Sequence, residues 1–211
     1  MWRKVLFAAS ALLFAFFVLL TSVFRTAAVK YEFANVEDGN TLQNILGDSN
    51  IEINYTLAYP GKILPDSSLW PVKALRDKLW LAATSNPGRK AELKLLFADK
   101  RLGSANILFI NSKPEIAYTA LTKAEKYLEE ASSQEKSNRA QGIDTSDFLR
   151  RLSLAALKHF EVINEIASIA PEDARPGIDS LQVYARKVFE DSRNALLDKG
   201  MTPPENPFNW Q

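Results

Sequence analysis

The chain is poor in the side chains that usually carry out catalysis. It contains one histidine, His159, and no cysteine. A single imidazole without thiolates cannot assemble the usual zinc sites unless several carboxylates join it. His159 stands beside Phe160 within a stretch whose apolar residues recur at helical spacing. We therefore interpret His159 as a structural or solvated residue rather than a catalytic one.

Carboxylates are the other candidates for chemistry. Glu125, Glu129 and Glu130 lie close together in one predicted helix, and Glu190 and Asp191 lie in another. Such groups can converge on a metal ion, but the Glu-x-x-His pairing of di-iron bundles is missing. Charged faces of helices are usually solvated. We therefore predict no metal and no cofactor, and an enzyme with an unrecognised carboxylate or metal site is the least favoured function.

Other functional classes lack support as well. The sequence has no glycine-rich phosphate loop, no Gly-x-Ser-x-Gly elbow and no His-Glu-x-x-His motif. Lys plus Arg number 26 and Asp plus Glu number 25, which gives a formal net charge of +1. A balanced chain of this kind has no electrostatic footprint for nucleic acid, so we predict no nucleic-acid partner.

The amino-terminal segment predicts contact with a membrane. Residues 5–24 contain no charged side chain, and about 20 apolar residues suffice to cross a bilayer as a helix. Arg3 and Lys4 precede this run, and basic residues favour the cytoplasmic side. We predict a single-pass anchor at 5–24, a cytoplasmic stub at 1–4, and an extracytoplasmic location for the rest of the chain.

A cleaved signal peptide is the alternative to a retained anchor. Small residues end at Ala28, where a signal peptidase could cut. Against cleavage stand Arg25 beside the proposed site and the length of the apolar run, because signal-peptide cores usually span about 7–15 residues. Under either interpretation the remaining chain lies outside the cytoplasm, anchored in the cell membrane or secreted.

The rest of the chain divides into a stalk, a domain and a tail. We predict that residues 30–58 form a stalk, and the alternation of apolar and polar residues suggests a short strand at 51–57. We predict that residues 59–200 form a helical domain, which is large enough for one hydrophobic core to stabilise it without disulfides. Residues 201–211 form a proline-rich aromatic tail that cannot be helical.

Within the domain, the pattern predicts a short helix followed by about four long antiparallel helices. Asp66, Ser67 or Ser68 can cap the short helix, and with Ser68 as the cap Pro71 falls in its first turn. Its apolar stripe, expected to face the core, is Leu69, Val72, Leu75, Leu79, Trp80 and Ala83. The long helices are delimited by capping and stop residues, namely Asn86, Pro87, Ser112, Gly142, Asp144, Thr145, Pro171, Asp179 and Gly200. The predicted fold is all-α, with an amino-terminal transmembrane helix preceding the bundle.

A proline-rich block opens the domain. Because proline fixes φ and biases the preceding residue toward extended conformations, the chain up to Pro65 should be irregular but stiff. Two interpretations remain open: a rigid wrap packed on the bundle, or a recognition surface for another extracytoplasmic protein. The residues of this motif are Tyr59, Pro60, Gly61, Leu64, Pro65, Asp66, Leu69, Trp70 and Pro71.

The tail carries a second candidate contact. Phe208 and Trp210 are unusual at a terminus that should be exposed to solvent. They dock either on the chain's own bundle or on a partner, and the sequence does not decide between these interpretations.

One ordered string of residues resembles a known family. Its parts are Tyr59-Pro60-Gly61, Ile63-Leu64-Pro65-Asp66-Ser67, Leu69-Trp70-Pro71-Val72-Lys73, Leu75-Arg76-Asp77, Lys90-Ala91-Glu92-Leu93 and Ala98-Asp99-Lys100-Arg101-Leu102. The string resembles an uncharacterised bacterial family, a domain of unknown function found behind signal peptides or single membrane anchors. Ser68 and Trp70 depart from its pattern, where proline and tyrosine or phenylalanine are commoner. The resemblance implies a bacterial, extracytoplasmic, helical module without assigned catalytic residues.

Together these features predict a membrane-tethered helical module that acts by protein–protein contact with an unknown protein of the bacterial envelope. The alternative is an envelope sensor that signals through a partner membrane protein. Signalling would need such a partner because the predicted cytoplasmic stub at 1–4 is too short to bind a regulator.

Overall fold

The computed structural model describes residues 53–208, residue 210 and isolated positions at 2, 10, 14, 17, 18 and 21. Apart from those isolated positions, the predicted anchor at 5–24 lies outside the described residues, and so does the part of the predicted stalk at 30–52. None of the helices formed by the described residues is long and apolar enough to cross a bilayer.

The described residues form helices and no strand. In chain order the helices are α1 Trp70–Ala83, α2 Pro87–Ile110, α3 Pro114–Ala140, α4 Ser146–Ile169 and α5 Arg175–Asp198. This confirms the prediction of an all-α domain with one short helix before four long ones. The suggested strand at 51–57 is absent from its described part, 53–57.

The long helices pack as two hairpins lying side by side. Helix α2 packs against α3, and α4 packs against α5. The connections at 111–113 and 170–174 are short, so each pair is antiparallel. The hairpins meet through contacts of α3 with α5 and of α2 with α4.

Two large apolar clusters lie at opposite ends of the bundle. The cluster near the starts of α2 and α4 includes Leu95, Ala98, Leu128, Leu152, Ala156, Phe160, Val188 and Phe189. The cluster near their ends includes Leu102, Leu108, Leu121, Ala124, Ile163, Ile166, Ile178 and Leu181. Helix α4 contributes buried residues along its whole length, as its wide apolar stripe requires.

The helix boundaries follow some of the predicted caps and depart from others. The Asn86 side chain accepts a hydrogen bond from the Arg89 amide at 2.9 Å, so the predicted cap of α2 is confirmed. The sequence Ser112-Lys113-Pro114-Glu115 has the pattern of a capping box, but that prediction is wrong, because Ser112 adopts a left-handed φ of 57° and α3 has no side-chain cap. Helix α5 begins at Arg175, before the predicted start at Asp179.

The chain from residue 53 onward belongs to the folded body, where the sequence predicted a stalk. Ile53 is 7% exposed and lies in the apolar cluster with Phe160. The Tyr55 hydroxyl donates a hydrogen bond to Asp99 Oδ2 at 2.8 Å. Burial of Ile53 and Tyr55 ties this irregular segment to the bundle instead of leaving it as a spacer.

Candidate functional site

Helix α1 carries its apolar stripe toward solvent, contrary to the prediction that the stripe faces the core. Leu69, Val72, Leu75 and Leu79 are 57%, 53%, 48% and 39% exposed. Of the predicted stripe, Trp80 is buried, at 2% exposed. We call the surface formed by these four exposed aliphatic residues the α1 face.

The stripe is exposed because other residues fill the inner side of α1. Trp80 packs edge-on against Phe97 with 5.9 Å between ring centroids. Asp77 is 6% exposed and is held by Arg76 at 2.6 Å. The Thr84 hydroxyl donates to the Trp80 carbonyl at 2.8 Å and lies buried at the end of the helix. Of these contacts, the one between Trp80 and Phe97 joins α1 to α2, and it orients α1 so that the α1 face lies outside.

The proline-rich block before α1 lies across the bundle as a wrap. The Lys73 ammonium donates hydrogen bonds to the carbonyls of Pro60 at 2.6 Å and Ile63 at 2.8 Å. Pro60 is buried and lies against Gly103 of α2, where an added Cβ would come within 3.3 Å of Pro60 Cδ. Gly61 has a φ of 84°, which favours glycine at this turn.

The remaining motif residues divide between the wrap and the surface. Asp66 pairs with Lys113 at 2.5 Å and connects the block to the start of α3. Ile63, Leu64, Pro65 and Trp70 are partly buried. Tyr59, in contrast, is 68% exposed. The block therefore packs as the wrap interpretation expects, and its last residues, 69–71, lead into α1 and the α1 face.

A buried ion cluster occupies the middle of the bundle. His159 Nδ1 lies 2.7 Å from Glu125 Oε1, and His159 Nε2 lies 3.2 Å from Asp99 Oδ1. All three side chains are 0% exposed. Asp99 follows Ala98 of one apolar cluster and precedes Leu102 of the other. The three groups therefore form a polar layer between the two halves of the core.

The carboxylates of Asp99 and Glu125 stabilise the protonated form of His159. Burial alone would lower the pKa of His159, but attraction to Glu125 and the hydrogen bonds to Asp99 and Glu125 raise it to about 9. Asp99 in turn accepts hydrogen bonds from the Tyr55 hydroxyl at 2.8 Å and the Ala58 amide at 3.4 Å. Burial, and then the charge of Asp99, raise the pKa of Tyr55 well above its ordinary value.

The geometry of His159 is that of a structural charge. Both ring nitrogens face carboxylates, and the ring has no exposure through which a substrate could reach it. The sequence interpretation did not identify Asp99 and placed Glu125 on a solvated face. A pattern in the sequence does indicate that Asp99 and Glu125 are buried, because each carboxylate interrupts an apolar stripe of its helix.

The other acidic candidates do not converge. Glu129 pairs with Lys187 at 3.0 Å and Glu130 with Lys94 at 3.8 Å. Glu190 and Asp191 are exposed on α5. No group of three or more histidine, aspartate or glutamate side chains within the described part of the chain is arranged to hold a metal ion.

The aromatic tail docks on the chain's own bundle. The Phe208 and Trp210 rings lie 4.7 Å and 4.2 Å from the Phe160 ring. Trp210 also contacts Phe189 at 5.9 Å, and the Arg186 guanidinium lies over the Trp210 ring at 5.4 Å. Of the two interpretations left open by the sequence, the structure therefore shows the intramolecular one.

Comparison with known proteins places the sequence in a family without assigned activity. No curated protein and no solved structure matches the chain. A family model described as a domain of unknown function, DUF5667, matches residues 62–173. The match begins just after Tyr59-Pro60-Gly61, contains the rest of the motif string, and continues to the end of α4 and beyond. Since the model covers more than half of the sequence, the chain belongs to the DUF5667 family.

Proposed function

We propose that this protein is a membrane-anchored, extracytoplasmic helical module of the bacterial envelope that acts through protein–protein contact. The observation that carries the proposal is the α1 face. The exposed Leu69 at the cap of α1 and Val72, Leu75 and Leu79 within it recur every three or four residues, which places them on one side of the helix, whereas isolated exposed apolar residues are ordinary. The uncharged run at 5–24 supports the anchor.

The flanks of the α1 face indicate what kind of partner it fits. Lys78, next to Leu79 in the chain, is exposed, and Arg76, next to Leu75, is partly exposed. The one acidic residue of α1, Asp77, is buried and paired with Arg76. An apolar surface with a basic rim is complementary to an apolar strip flanked by acidic side chains. We assign the α1 face to an envelope protein that presents such a strip.

In-cell photo-cross-linking tests this assignment. A photoreactive amino acid replaces Val72 in the full chain, and the matched control replaces Val183, an equally aliphatic residue of α5 that is 62% exposed. We expect one discrete adduct at Val72 and none at Val183. Mass spectrometry of the adduct should identify a segment of another envelope protein with apolar residues flanked by acidic ones.

A charge substitution shows whether the apolar surface itself matters. Leu75→Glu should abolish the Val72 adduct, while Leu197→Glu on α5, at a site 49% exposed, should leave it unchanged. Melting temperatures of the variants confirm that they are folded. Adducts to lipid or only to a second copy of this chain would overturn the proposed partner.

The placement of the domain has its own test. A reporter that is active only outside the cytoplasm, fused at the carboxyl end, should be active. A fusion that is active only in the cytosol would overturn both the location and the class of partner. Detection of the intact amino-terminal segment in membrane fractions would distinguish the anchor from cleavage near Ala28.

A further inference from the structure

A groove opens where the proline-rich block crosses α2 and α3. Its volume is about 320 Å³, which is at the small end of ligand pockets. Its walls come from three separate parts of the chain and include Pro65, Trp70, Arg101, Glu115, Ile116 and Lys123. The groove therefore exists only because the block is fastened onto the helices, through contacts such as the Asp66–Lys113 pair.

Arg101 is the unusual member of this lining. It is 7% exposed, and its buried Nε–H donates to no acceptor among the described residues. Its guanidinium carbon lies 5.2 Å from the Trp70 ring centroid and 5.1 Å from that of Tyr127. Two aromatic faces hold the guanidinium plane, but they do not supply the hydrogen-bond acceptors that a buried arginine needs.

The charged side chains that line the groove limit the kind of ligand that it fits. Arg101 and Lys123 contribute two positive charges and Glu115 one negative charge, which leaves one positive charge in excess. A single carboxylate balances this excess and matches the planar edge of a guanidinium. A doubly charged phosphate would exceed it and would be repelled by Glu115.

We propose that the groove binds a glutamate or aspartate side chain carried by an extended segment of the partner. This deepens the proposed function and rests on it, because the groove shares Trp70 and Pro65 with the block that adjoins the α1 face. The carboxylate accepts hydrogen bonds from Arg101 and is attracted by Lys123. Apolar neighbours in the partner segment pack on Pro65 and Ile116.

Fluorine NMR of the full-length protein labelled with 5-fluorotryptophan tests the proposal. The Trp70 signal is assigned by its loss in Trp70→Phe. The probes are acetyl-Leu-Glu-Leu-amide, its Gln counterpart and inorganic phosphate. We expect a saturable shift of the Trp70 signal with the Glu peptide, at an affinity about tenfold above that for the Gln peptide. Phosphate should bind more weakly than the Glu peptide.

Substitutions in the groove identify the groups that bind. Arg101→Met should weaken Glu-peptide binding about tenfold, and its fold is checked by the Trp80 and Trp210 signals. Lys123→Met, at an exposed position, should weaken binding about threefold. The matched control is Lys126→Met, at an exposed position of the same helix, which should bind like the parent protein.

The opposing outcomes are equally specific. The proposal is overturned if the Glu peptide produces no saturable shift, if the Gln peptide or phosphate binds as tightly, or if both groove variants bind like the parent. If the Glu peptide does not bind but Val72 forms its cross-link, the proposal for the groove is overturned and the assignment of the α1 face stands. If the Glu peptide binds but Val72 forms no cross-link, the assignment of the α1 face to a partner is overturned, and the groove remains a carboxylate site.

Discussion

At the scale of single residues, the most consequential feature is the charge buried with His159. A buried ion pair often contributes little net stability, because desolvation of the charges offsets their attraction. Removing one partner of such a pair is strongly destabilising, because the other charge then stays buried and unpaired. The layer of Asp99, Glu125 and His159 therefore makes the bundle sensitive to any change in the protonation of its centre.

The first prediction concerns pH. Because the pKa of His159 is raised to about 9 in the folded protein and is about 6.5 when unfolded, its contribution is fully present below about pH 6.5. That contribution, on the order of 3 kcal/mol, should be lost as pH rises through 9. Urea unfolding between pH 6 and 10 measures it. A flat free energy of unfolding over this range would contradict the assignment.

The second prediction concerns substitution of the cluster. His159→Leu should lower the free energy of unfolding by about 3–5 kcal/mol, since two carboxylates remain buried without their cation. Combining it with Asp99→Asn and Glu125→Gln should restore most of the loss, because no unpaired charge is left. Chemical denaturation of both variants tests this. If the triple variant is as unstable as the single one, the loss comes from packing and not from charge.

At the scale of elements, one lysine organises the wrap. Lys73 of α1 holds two carbonyls of the proline-rich block, and burial lowers its pKa from the ordinary value. Helix α1 is fixed independently by Trp80. We therefore expect that loss of the Lys73 hydrogen bonds loosens the block without unfolding α1.

The third prediction follows from this arrangement. Lys73→Met should cost about 1.5–3 kcal/mol, the usual contribution of hydrogen bonds to a charged group. Hydrogen exchange at residues 61–67 should accelerate while α2 remains protected. Lys78→Met, exposed on the same helix, serves as the matched control. Equal exchange in both variants would show that Lys73 does not fasten the block.

At the scale of the whole molecule, the non-helical segments on both sides of the helices, near Ile53 and near Phe208, pack on the bundle. Ile53 packs near Phe160 from the amino-terminal side, and Phe208 and Trp210 pack on the same cluster from the carboxyl-terminal side. The bundle is thus completed by segments that are not helical. Tail aromatic groups that fill the chain's own surface contribute to stability rather than to an open contact site.

The fourth prediction tests the tail. Truncation after Pro204 should destabilise the protein by about 1–3 kcal/mol, because partly buried aromatic contacts with Phe160 are lost. The melting temperature should fall by about 5 °C. Trp210→Phe, which keeps an aromatic ring, should lower the free energy of unfolding by less than half as much as the truncation does. A truncated protein with an unchanged melting temperature would show that the tail is not part of the folded unit.

The sequence alone determined the all-α class and most helix boundaries. Periodic apolar residues and local breakers act within a few residues, as the Asn86 cap and the φ of 78° at Gly142 illustrate. The resemblance to a domain of unknown function likewise came from the sequence, and a family model of that description matches residues 62–173. These features are local, so the order of residues is enough to specify them.

Which faces are buried and which groups meet became visible in the packed helices, not in the sequence. Asp99, Glu125 and His159 are far apart in sequence, and no local pattern brings them together. The rotation of α1 likewise depends on the bulk of Trp80 and the pairing of Asp77, which turned an expected core stripe into the α1 face. Burial and long-range pairing depend on how whole helices pack, and that information does not reside in any single segment.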